Sequence, residues 1–91
     1  MKRLLHTRPL GILDIPVYEV DKLEDDADGN WAEGEALISA RSDNKRLTEL
    51  HELLHAIDEY YELGLSETAV RCLEMGLAQL YEAELFNENS G

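Results

Sequence analysis

The stretch N-K-R-L-T-E-L-H-E-L-L-H-A-I-D-E-Y-Y-E-L-G-L-S-E-T-A-V-R-C-L-E-M-G-L, Asn44 to Leu77, decides the fold. Leu47, Leu50, Leu54, Ile57 and Tyr61 recur at three- and four-residue intervals, the period of a helix with one apolar face. Ser42, Asp43 and Asn44 stand ahead of that pattern as candidate N-caps. A helix is therefore expected over about residues 44–62, with Gly64 suited to the left-handed position that ends it. Ser66 can cap a second helix with Glu67 in its first turn and Val70, Leu73, Leu77, Leu80 and Tyr81 along one side. A loop this short folds two helices into a hairpin, expected over 43–86.

Upstream of the hairpin the pattern changes. Residues 1–11 carry Lys2, Arg3 and Arg8 and then Pro9 and Gly11, which predicts a flexible tail. Ile15 to Leu23 is partly alternating and β-branched, with Pro16 acceptable at a strand start or edge. Glu24 to Gly34 is acidic, and D-G-N at Asp28 to Asn30 is expected to reverse the chain. Ala36 to Ala40 reads as a further short strand. The sequence thus predicts one minimal α+β domain over 1–91, in which a two- or three-stranded sheet from 12–40 packs on the helical hairpin. Asn87 to Gly91 is expected to fray.

Twenty acidic residues against eight basic ones give a net charge of -12. That balance disfavours nucleic acid and anionic membrane as partners and biases the chain toward a basic peptide or protein substrate. Cys72 is the sole cysteine, so no intrachain disulfide can form. Apolar runs fall far short of the roughly 20 residues that cross a bilayer. No secretory pattern opens the sequence, so a cytoplasmic location is expected. The oligomeric state has no signature.

The chemistry lies in H-E-L-L-H at His51 to His55. A helix places residues four apart on one face, so two imidazoles in this HExxH spacing can share one zinc ion, with the intervening Glu52 beside it. A catalytic zinc takes three protein ligands and keeps a fourth position open. Glu67, beyond the turn on a helix that can fold back, is the leading third ligand. Glu74, Asp58, Glu62, His6 and the absence of a third protein ligand are the alternatives, and Asp58 could instead support an imidazole from behind. Glu52 would act as general base, taking a proton from the attacking water and passing it to the leaving amine. Leu37 to Ala40 could hold an extended peptide by strand addition if its edge is free. Trp31, Tyr60, Tyr61 and Tyr81 are expected in packing roles.

T-E-L-H-E-L-L-H-A-I-D, the short G-L-S loop and the helix opening at Glu67 resemble small phage and prophage proteins related to the ImmA/IrrE zinc metallopeptidases. The resemblance spans the C-terminal half, Leu47 to Leu77. It implies a gluzincin-like zincin fold with a strand ahead of the HExxH helix, zinc ligands at His51, His55 and Glu67, and Glu52 as base. It also implies an apolar helix at Ala69 to Leu77 behind the third ligand. The family often has glycine before the second histidine, where this chain has Leu54.

The leading expectation is a zinc-dependent metallopeptidase acting on a peptide or protein. A non-catalytic, zinc-stabilised protein-interaction domain is the alternative, and a metal-free helical hairpin with a fortuitous motif is a third.

Overall fold

The computed structural model describes residues 1–85; Phe86 and the frayed end expected over Asn87–Gly91 lie outside the described residues. Four strands precede two helices: β1 (Lys2–Leu10), β2 (Leu13–Val20), β3 (Gly29–Ala32), β4 (Glu35–Ser39), α1 (Lys45–Tyr61) and α2 (Glu67–Leu85). The strands form one sheet in the order β1-β2-β4-β3, and the helical hairpin lies on one face of it. The α+β class holds, with four strands where two or three were expected.

The expected tail is strand β1. It pairs antiparallel with β2 from Lys2 opposite Val20 to Leu10 opposite Leu13, across a two-residue turn. Lys2, Arg3, Arg8 and Pro9 disguise it, because charges and proline are the means by which an outer strand avoids pairing with other chains. Each charge finds a partner: Lys2 binds Glu35, Arg3 binds Glu19 and Arg8 binds Glu49. Pro16, which has no N–H to give, lies just outside the Val17–Val20 segment that pairs with β4.

D-G-N does not reverse the chain. Gly29 and Asn30 open β3, and the reversal falls at Glu33 and Gly34, whose φ values of 53° and 78° suit a type I′ hairpin turn. β4 then returns between β3 and β2, antiparallel to the first and parallel to the second.

Val17, Ala36, Ile38 and Trp31 share the face toward the helices and form the core of the sheet. Tyr18 faces the other way, with the Lys2 ammonium 4.4 Å from its ring centroid. Leu54 and Ala56 from α1 and Val70 from α2 are buried as well. Asn44 caps α1, its Oδ1 accepting the Leu47 N–H at 3.1 Å. Glu62, rather than Gly64, holds the left-handed position that ends the helix, and Gly64 takes a further positive φ in the loop.

Ile38 is 1% exposed at the centre of the sheet. Ile38→Ala should lower the unfolding free energy by about 3 kcal/mol in urea titrations, because the space left behind cannot fully collapse. A change under about 1 kcal/mol would place the stabilising core elsewhere.

Candidate metal centre

One turn of α1 separates His51 from His55, and their ring centroids lie 5.0 Å apart. The following helix is set by two local devices. Ser66 Oγ accepts the Ala69 N–H at 3.0 Å, which starts α2, and Asp58 Oδ1 accepts the Leu65 N–H at 2.9 Å, which ties the loop back to α1. Asp58 is thus a loop anchor, and supports no imidazole.

Glu67, the first residue of α2, is thereby brought over both histidines. Its Oε1 lies 3.3 Å from His51 Nε2 and 3.4 Å from His55 Nε2. Two donors on one tetrahedral zinc are roughly 3.3 Å apart, given bond lengths of about 2.0–2.1 Å. Two imidazole nitrogens and one carboxylate oxygen, all within 4.8 Å of one another, fit that ion in chemistry and in spacing.

The alternative ligands are engaged elsewhere. His6, which lies in β1, meets Glu49 Oε1 at 2.9 Å, and Glu49 also accepts from Arg8 at 2.6 Å. Glu62 ends α1. Glu74, two turns beyond Glu67, accepts a hydrogen bond from His51 Nδ1 at 2.6 Å. That contact puts the proton on Nδ1 and leaves Nε2 as the lone-pair nitrogen facing Glu67. Glu74, expected only as an alternative third ligand, instead positions His51; its spacing of seven from Glu67, which repeats a helix face, is the signal that could have found that role.

Glu52 lies beneath β3 and is only 6% exposed. Burial away from water raises its pKa from 4.5 to about 7; the neighbouring His51 pulls it down, and Glu67 and Glu74 add to the rise. Gly29 permits this arrangement. A Cβ there would stand 2.7 Å from Glu52 Oε2 and 2.6 Å from Thr48 Cγ2, so a side chain would push either β3 or the carboxylate aside.

Two grooves flank Glu52. One of about 290 Å³ runs past Asn30, Trp31, His55 and Glu67, and one of about 360 Å³ runs past Asp28, Thr48, Arg71 and Glu74. The strand above them is β3, and among the described residues β3 pairs with β4 alone, so its outer edge is left unpaired by them. The segment Leu37 to Ala40 cannot serve as a peptide-binding edge, because β4 is enclosed between β2 and β3. Trp31 joins the core and also donates its indole N–H to Glu59 at 2.9 Å. Tyr60 and Tyr61 stack edge to face at the end of α1, away from the cluster. No family model, curated protein or solved structure matches this chain. Among the described residues, no helix is long and apolar enough to cross a membrane.

The buried Glu52 carboxyl has a measurable consequence in metal-free protein. Between pH 4.5 and about 7 the folded chain holds a proton that the unfolded chain has released, so stability falls as pH rises through that window. The loss is roughly 3 kcal/mol at most. Glu52→Gln should therefore be more stable than the parent at pH 8 in the presence of chelator, and the advantage should shrink by pH 5. Urea titrations that give the same difference at both pH values would contradict the burial effect.

Proposed function

We propose that this chain is a small zinc-dependent metallopeptidase, with His51, His55 and Glu67 holding the metal and Glu52 as general base. The observation that carries the reading is the position of Glu67 Oε1, within 3.4 Å of the Nε2 atoms of both histidines, while Glu74 occupies the other nitrogen of His51. Bound zinc supplies a Lewis acid that polarises the scissile carbonyl.

The chain's own residues do the rest. Glu74 keeps His51 turned with Nε2 toward the cluster. Glu52, buried beneath β3 beside the cluster, takes the proton of the attacking water and delivers it to the departing amine. The unpaired edge of β3 offers main-chain groups to an extended peptide lying across the two grooves. The resemblance of Leu47 to Leu77 to the ImmA/IrrE metallopeptidases points the same way.

A second reading, a zinc-stabilised interaction domain, draws support from the packing of α2, which makes its main tertiary contacts with α1 alone. An ion held between the two helices would pin that hairpin. The donor set favours catalysis over this reading. Structural zinc sites are closed by four protein ligands, whereas among the described residues this cluster offers three, beside an open groove.

Glu52→Gln and Glu67→Ala separate the readings. Glu52→Gln should keep one zinc per chain and lose at least about 100-fold in cleavage of a susceptible peptide, because the base is gone and the ligands remain. Glu67→Ala should weaken zinc binding by at least about 100-fold in competition with a chelator. Full turnover in the first variant would remove Glu52 as base; unchanged affinity in the second would remove Glu67 as ligand.

A further inference from the structure

The groove of about 360 Å³ on the Asp28 side of Glu52 has a charge pattern that zinc binding leaves unexplained. Glu67, Arg71 and Glu74 are spaced four and three apart and so share one face of α2. The two glutamates of that face contact His51. Arg71 stands between them, exposed on the wall of the groove, and is the one lysine or arginine among the described residues that lines either groove. No described residue forms a salt bridge or hydrogen bond with it, whereas Lys2, Arg3, Arg8 and Arg41 are all paired with carboxylates. Lys22 and Lys45 likewise have no carboxylate partner among the described residues, but neither lines either groove, so in a chain of net charge -12 Arg71 is the unpaired cation placed beside the candidate reaction centre.

From this placement we infer that the groove receives a carboxylate-bearing part of the substrate next to the scissile bond, with Arg71 as its anchor. The inference rests on the metallopeptidase reading and deepens it. A guanidinium offers two parallel N–H donors that match the two oxygens of a carboxylate. Of the acids on this groove wall, Glu52 is committed to the centre and Glu74 is bonded to His51, so Asp28 is the one with no role there. One guanidinium balances the single charge of a carboxylate. A phosphate dianion would meet stronger repulsion from Asp28 and Glu74 for the same one cation. The acidic surface as a whole still draws basic peptides, so the substrate expected here is basic overall, with one acid beside the cleavage point. That acid is an Asp or Glu side chain or a free C-terminus; the chemistry at Arg71 is the same.

The test uses zinc-loaded full chain and peptide hydroxamates, whose hydroxamate group grips zinc without being cleaved. Two series carry that group at either end of a dipeptide, so that each side of the reaction centre is sampled. Both compare Glu with Gln, and the series with a C-terminus compares free acid with amide. Calorimetry should show one acid binding about tenfold more tightly than its neutral partner, the worth of one charge-assisted pair. The pair that shows the preference identifies the source of the carboxylate.

Arg71→Ala should abolish the preference while leaving the melting temperature and the affinity for neutral hydroxamates unchanged, and Arg71→Lys should restore part of it. Equal binding of acid and neutral members to the parent chain, or a preference that survives in Arg71→Ala, would overturn the role of Arg71 and leave the zinc centre standing. Failure of every hydroxamate to bind would overturn the metallopeptidase reading and this inference together.

Discussion

The candidate centre depends on how the chain leaves α1 and enters α2. Glu62 turns it with a left-handed conformation, Asp58 holds the Leu65 N–H, and Ser66 starts the next helix at once. Helices so closely joined must run antiparallel. The first residue of the second helix then lies against the last turns of the first, where His55 and His51 are found. Glu67 needs no long-range strand pairing to reach both imidazoles; a five-residue connection and two side-chain hydrogen bonds suffice. The same geometry carries Glu74, two turns on, to the far nitrogen of His51. One local turn thus places both a candidate ligand and the residue that orients another candidate ligand.

The sheet contributes differently. β3 passes over α1 so closely that Gly29 touches Glu52, and this roof is what removes the carboxylate from water. The register of β3 on β4 decides which residue forms the roof. Gly29 lies opposite Ile38 and Trp31 opposite Ala36, so a glycine covers the carboxylate while the indole fills the core two residues later. A slip of one residue would turn Asn30 onto Glu52 and expose Trp31.

How much of this was legible follows the distance over which each feature is determined. Both helices could be read because their periodicity and their caps at Asn44 and Ser66 are local. His51, Glu52, His55 and Glu67 could be nominated together for the same reason. β1 was hidden, since an outer strand is written with charges and proline and its partner β2 is what defines it. β3 was hidden behind D-G-N, which usually turns; pairing with β4 overrides that preference. Glu74 holds the supporting role expected of Asp58, because a carboxylate three residues from a histidine on one helix looks adjacent in sequence. The one that reaches the ring comes from the neighbouring helix, and helix crossing is a tertiary fact.

Glu52 sharpens the choice between a catalytic and a purely structural metal. A buried carboxylate that favours its protonated form weakens the metal-free fold at neutral pH, and a chain of this size has little stability to spare. Gly29 adds to the cost, since glycine within a strand brings no side chain to pack and loses the most freedom on folding. A zinc site that served only to staple α1 to α2 would require neither feature. His51, His55 and Glu67 would hold the ion equally well beside an alanine or a glutamine, and a larger residue in β3 would improve the packing. The unfavourable pair Gly29 and Glu52 makes physical sense where a carboxylate must take up and release a proton at the edge of a groove.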